Sequence, residues 1–202
     1  MQNLNEYIIE KFKLNSKNIN KFNYHPKDID ELKELVDKLI KERGENADLN
    51  DIDTSKITNM ASLFYAKEFN GDISEWDVSN VTKMQDMFGD SYFNGDISIW
   101  DVSNVENMSD MFNGSKFNRD ISKWNVKKVK YMLNMFRNSD FNQDISDWEV
   151  DNVMTFSNMF AYSKFNGNLH DWNIKKNADQ SYMVKNCPME NNKSKWPKNW
   201  LK

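Results

Sequence analysis

Five tryptophans set the constraint on this chain: Trp76, Trp100, Trp124, Trp148 and Trp172 follow one another at a single constant interval. The string around them returns with them. Residues 69–88 read FNGDISEWDVSNVTKMQDMF, 93–112 read FNGDISIWDVSNVENMSDMF, 117–136 read FNRDISKWNVKKVKYMLNMF and 141–160 read FNQDISDWEVDNVMTFSNMF. The period runs without insertion over 52–171, five full repeats, with a half unit at Asp48 to Ile52 and a decayed unit after Trp172. A unit this short cannot enclose a core, but stacked units can, because each apolar column packs on its own copies above and below. Asn177 and Gln180 fall in apolar columns of the decayed unit, as a terminal unit with no further neighbour requires.

The repeat also explains an odd composition. Aromatics make up 13% and charged residues 29% of the 202 residues. Nine of the 12 Met and 11 of the 13 Phe lie in the apolar columns, so the aromatic content argues for a packed interior and against disorder. No run approaches the ~18 apolar residues of a membrane span. A single cysteine, Cys187, excludes an internal disulfide, and two histidines with one cysteine argue against a zinc site. The net charge of −4 gives no basic field for nucleic acid.

Within a unit, Trp100 and Val102 alternate with Ile99, Asp101 and Ser103, which predicts a short strand over 97–102. Val105, Met108, Met111 and Phe112 recur at helical spacing, which predicts one or two turns of α- or 3₁₀-helix, with Ser103 and Glu106 as a capping box. The expectation is an α/β solenoid of 24-residue strand–short-helix turns over 47–184, its strands paired in parallel. Residues 1–46 lie outside the repeat. An amphipathic helix is expected over 28–43, with acids at its start, Lys41 and Arg43 at its end and Gly44 beyond, forming an N-terminal cap. The segment from Tyr7 to Tyr24 reads as a strand or short helix of the same cap, and 185–202 as a C-terminal cap in which Trp196 keeps the register.

The motif Ile73-x-x-Trp76-x-Val78-Ser79-x-Val81-x-x-Met84-x-x-Met87-Phe88 resembles the BspA-like class of leucine-rich repeats, and its Phe-Asn-x-Asp-Ile-Ser-x-Trp addition resembles the variant in mycoplasma lipoprotein-type repeats. The likeness covers about 47–184. It implies a leucine-rich-repeat-like fold and a bacterial surface protein, adhesin-like, that binds protein partners. The stretch 1–25 shows no apolar core of the length a secretory signal needs, which leaves an intracellular interaction scaffold as the alternative.

Residues present in every unit are expected to build the fold. Asp48, Asp72, Asp96, Asp120 and Asp144 form a column interrupted by Asn168. Turn acceptors for backbone N–H groups are the expectation; calcium ligands are the alternative. Asn70, Asn94, Asn118, Asn142 and Asn166 read as an inward ladder bonding backbone. Residues that differ between units are the candidate partner-binding face. They form three outward columns: Glu75, Ile99, Lys123, Asp147 and Asp171; Asp77, Asp101, Asn125, Glu149 and Asn173; and Lys127, Asp151 and Lys175 beside Ser79 and Ser103. Resemblance implies the same face, since leucine-rich repeats hold ligands on their strand layer. Lys123 with Asp147 and Lys127 with Asp151 are expected as ion pairs between neighbouring units. No catalytic residue, metal site or cofactor is expected; an enzyme would need a cleft between the N-terminal cap and the repeats. The partner expected is a protein, with no nucleic acid and no membrane insertion, and the chain is expected to be a monomer.

Overall fold

The computed structural model describes residues 22–200; the expectations for the segment from Tyr7 lie outside the described residues up to position 21. The chain winds as a stack of coils, and residues one repeat apart lie above one another. Single parallel pairings run through the stack from Asn59 to Lys83, Asn107, Tyr131, Thr155 and Asp179. Among the described residues there is one α-helix, α1 (Ile29–Arg43), and two single 3₁₀ turns, Lys193–Lys195 and Lys198–Trp200.

The strand and the short helix expected in each unit are replaced by turns. Trp100 N–H bonds the Ile97 carbonyl and Val105 N–H the Val102 carbonyl, so two sharp bends flank the stretch that alternates. Its side chains do alternate, with Trp100 and Val102 buried and Ile99 and Asp101 exposed, but its peptides do not form a ladder with the next coil. The lateral bonds lie instead where the helix was expected. Met108, Asp110, Phe112 and Gly114 donate to Tyr131, Leu133, Met135 and Arg137 of the following coil, at 2.8–2.9 Å. The same four bonds recur from coil to coil. A helix would turn these N–H groups back onto its own chain; here every second residue faces the next coil.

That geometry needs positive φ twice per coil, at Asp86 and Asp90, Asp110 and Gly114, Asn134 and Asn138, and Asn158 and Tyr162. Asp, Asn and Gly tolerate this left-handed region better than other residues, which explains their recurrence inside an otherwise apolar segment. Ser103 and Glu106 make no capping box: Ser103 N–H bonds Asp101, and Glu106 pairs with Lys130.

The core is a set of columns. Phe64, Phe88, Phe112, Phe136 and Phe160 stack with centroids 5.5–5.7 Å apart and rings within 7° of parallel. A second file, Phe69, Phe93, Phe117, Phe141 and Phe165, runs beside it at 6.2–6.4 Å. Each of the five tryptophans from Trp76 to Trp172 is buried but sends its indole N–H to a carbonyl of the coil before: Trp124 to Ile97 at 3.1 Å and Trp148 to Ile121 at 3.1 Å. The hydrogen bond removes the cost of burying that polar group. Trp196 shares the register but leaves the file, donating to nearby Met189 instead of to the preceding coil. Buried Ser91, Ser115, Ser139 and Ser163 form a further column, and Cys187 continues it: its thiol donates to the Val184 carbonyl as the Ser139 and Ser163 hydroxyls do to Phe136 and Phe160. Burial pushes that thiol's pKa up, away from reactivity.

Helix α1 closes the N-terminal end. Asp28 accepts the N–H groups of Asp30 and Glu31, and Leu32, Val36 and Leu39 bury their side chains in the common core. Tyr24 pairs in parallel with Ile52, continuing the stack below the first Trp position.

Two stability measurements check this arrangement. Trp124→Ala should lose about 3–5 kcal/mol, because it empties a filled column and leaves the Ile97 carbonyl without its donor. Ala66 holds φ 53, so Ala66→Asn should gain roughly 0.5–1 kcal/mol by relieving left-handed strain. Near-zero change in the first, or a loss in the second, contradicts the coil geometry.

Candidate functional site

The outer surface of each coil is built from Asp and Asn turns. Oδ1 of Asp48, Asp72, Asp96, Asp120 and Asp144 accepts the N–H two residues on, at 2.8–2.9 Å, and Asn168 makes the same bond to His170 at 3.0 Å. The role therefore needs an acceptor oxygen and no charge. The Asn column is also a ladder, but it lies at the surface rather than inward: Oδ1 of Asn70, Asn94, Asn118 and Asn142 accepts the N–H of the next Asn at 2.8–2.9 Å. Lys195 Nζ ends the ladder on Asn166. A signal for the turns was available in the recurring Asp-x-Ser.

The candidate face stands on these turns. Glu75, Ile99, Lys123, Asp147 and Asp171 follow the first Asp turn; Asp77, Asp101, Asn125, Glu149 and Asn173 follow the tryptophans; Lys127, Asp151 and Lys175 come two residues later. All are exposed. Asp77, Asp101 and Asn125 also accept the N–H two residues on, so the middle column is partly structural. The ion pairs differ from those expected. Lys127 pairs with Glu149 at 2.9 Å, because Asp151 instead accepts from Asn173. Among the described residues Lys123 makes no ion pair; it lies in a groove of about 220 Å³ with Asp120, Asp144 and Asp147. Asp171 is held by Lys198 of the tail. Ile99 is 77% exposed amid this polar surface.

Two grooves escaped the sequence. One, about 560 Å³, joins α1 to the first coils and is lined by Arg43, Asp48, Asn50, Asp51, Asp72 and Glu75. Arg43 holds Asp51 with two bonds of 3.0 Å and stacks over the Tyr24 ring. The hydrogen bond from Arg43 keeps the Asp51 carboxyl below its ordinary pKa, and the Ser74 N–H and hydroxyl do the same for Asp72. The other groove, about 400 Å³, is lined by Glu106, Lys128, Lys130, Asn152, Met154 and Lys175. Asp86 is the exception among the carboxyls: burial, with Asp110 and Asp90 beside it, raises its pKa. Among the described residues no group of three His, Cys, Asp or Glu is placed to hold a metal ion, and no helix is long and apolar enough to cross a membrane.

A family model described as Mycoplasma protein of unknown function, DUF285, matches residues 30–137 and 93–197. The chain belongs to this family. No curated protein and no solved structure matches it. The two matched segments together run from 30 to 197, over nearly all of α1 and every coil.

The Asp turns set a pH dependence. Backbone N–H bonds lower the pKa values of Asp96, Asp120 and Asp144, above all those from Ser98, Ser122 and Ser146. The unfolded chain thus takes up these protons more readily. Their stabilisation is complete above the ordinary value of 3.8 and is lost as pH falls through the lower folded values. Asp120→Asn keeps the acceptor without the charge and should lower the neutral melting temperature slightly while flattening its acid fall, whereas Asp120→Leu should lower the neutral value further. A chelator should leave the melting temperature unchanged; a fall of many degrees would assign the column to a cation.

Proposed function

We propose that this DUF285 member is a non-catalytic protein-recognition module, leucine-rich-repeat-like in organisation, that binds a protein partner through the variable outward columns. Resemblance to BspA-like repeats supports a bacterial surface-associated, adhesin-type role. The observation that carries the reading is Ile99, an isoleucine 77% exposed with Asp101 two residues on. Glu75 and Lys123 occupy its column in the coils on either side. An apolar anchor inside a polar rim is the layout of an interface hot spot. The first column supports it too, since it passes from Glu75 to Ile99 to Lys123 along a constant core.

An enzyme reading would draw on the groove between α1 and the first coils. Three of the groups lining it move away from neutrality, Arg43 upward and Asp51 and Asp72 downward, opposite to what a proton-transfer group needs. This favours recognition over catalysis.

The test uses the wild type, Ile99→Asp, and a double charge reversal of Glu75 and Lys123 as parallel baits against host and bacterial extracts. A protein retained by the wild type should be lost by Ile99→Asp and weakened by the reversal, with melting temperatures unchanged. Retention equal in all three contradicts the proposed face. Capture from the bacterium's own cytoplasm alone would favour an intracellular scaffold over an adhesin.

A further inference from the structure

The two ends of the stack are chemically different. In every coil four of the lateral bonds join whole peptide groups: the Lys83 carbonyl accepts from Met60 while the adjoining Met84 N–H donates to Asn107. In a trans peptide the carbonyl and N–H point in opposite directions. Four files of peptides therefore run the length of the stack with every N–H toward the C-terminal end. In the last coil the carbonyls of Asp179, Ser181, Met183 and Lys185 accept from Phe156, Asn158, Phe160 and Tyr162. The adjoining N–H groups of Gln180, Tyr182, Val184 and Asn186 must then point outward. Asn186 donates to the Glu190 carboxylate at 2.8 Å; the other three have no acceptor among the described residues.

These donors border a hollow of about 370 Å³ lined by Gln180, Tyr182, Lys185, Glu190, Trp196 and Trp200. Trp200 lines this hollow, and among the described residues its indole nitrogen is buried without a partner. The surrounding charge is basic: residues 175–198 hold six Lys against two acids in a chain of net −4. Two further files run the other way, Glu106 N–H to Thr82 and Lys116 N–H to Ser91, so four files against two leave a net positive potential at this end.

We propose that this open edge binds an extended acidic segment of a partner polypeptide, which supplies oxygen acceptors to alternate N–H groups. Three observations select that occupant. Between Gln180 and Asn186 the edge offers N–H donors on alternate residues, so a ligand there must bring acceptors. The donors sit on every second residue, matching an extended chain. The fourth of them, Asn186, already donates to a carboxylate, that of Glu190. A second copy of this chain would have to offer the carbonyls of its own first coil. There α1 is in the way, its Leu32, Val36 and Leu39 buried in the core and Asp37 tied to Lys67. The site is distinct from the variable face, and Ile99→Asp should leave it intact.

The experiment follows amide exchange and chemical shifts by NMR in the full chain, with an octaglutamate peptide as probe. In the free protein, the amides of Gln180, Tyr182 and Val184 should exchange on the order of 100-fold faster than those of Phe156, Asn158 and Phe160. Octaglutamate should shift and protect these three amides, and octalysine should not. Lys185→Glu with Lys193→Glu should weaken the response roughly tenfold at an unchanged melting temperature. Full protection in the free protein overturns the proposal, as does no response to octaglutamate. Inorganic phosphate reproducing the whole response would reduce the site to general anion binding and overturn it. The same shifts arising with protein concentration alone would assign the edge to a second copy and contradict the proposal.

Discussion

Everything in this molecule depends on peptide groups turned parallel to the stacking axis. In a sheet the lateral bonds come from extended strands, and in a helix the axial bonds close on the same chain. Here each coil sends N–H groups such as Met108, Asp110, Phe112 and Gly114 to the next coil, and the left-handed residues between them make that direction possible. Each bond contributes only about 0.5–1.5 kcal/mol net. Left unmade inside the stack it would cost more, so coils are stable only together.

The apolar columns and the polar ladders serve the same register. Two Phe files, the Trp file and the buried Ser file repeat at one interval, so a slip of one coil against the next would break every contact at once. The surface ladder of Asn does the same work outside, with Asn118 N–H on Asn94, while the Asp turns shape each coil from within, as Ser122 N–H on Asp120 does. Side chains that join neither set are free to differ, and for that reason the proposed recognition face falls on Ile99, Lys123 and their column mates.

The period, the buried columns and the role of the Asp turns could be read from the residues, because burial and turn chemistry are local and repeat identically. Asn168 in place of an aspartate already pointed to an acceptor. The backbone of the Met-x-x-Met-Phe segment could not be read from apolar spacing alone, since a chain of tight turns can bury the same positions as a helix. The informative residues were the polar ones between: Asp86, Asp110, Asn134 and Asn158 in one column, and Asp90, Gly114 and Asn138 in another, are types that accept positive φ. The strand expected at Trp100 had correct alternation but no ladder, because the Asp96 and Asp101 turns bend the chain on both sides of it. The ion pair of Lys127 with Glu149 and the groove at Arg43 depend on side-chain reach between coils, which spacing does not encode.

The most direct test of the coil architecture is hydrogen-bond scalar coupling measured by NMR across the lateral bonds. The structure predicts couplings from the Phe112 amide nitrogen to the Met135 carbonyl carbon and from Phe136 to Met159, each reaching from one coil into the next. Couplings from Phe112 to the Met108 carbonyl and from Phe136 to Met132 would instead mean short helices, and would contradict the stack of axial peptides.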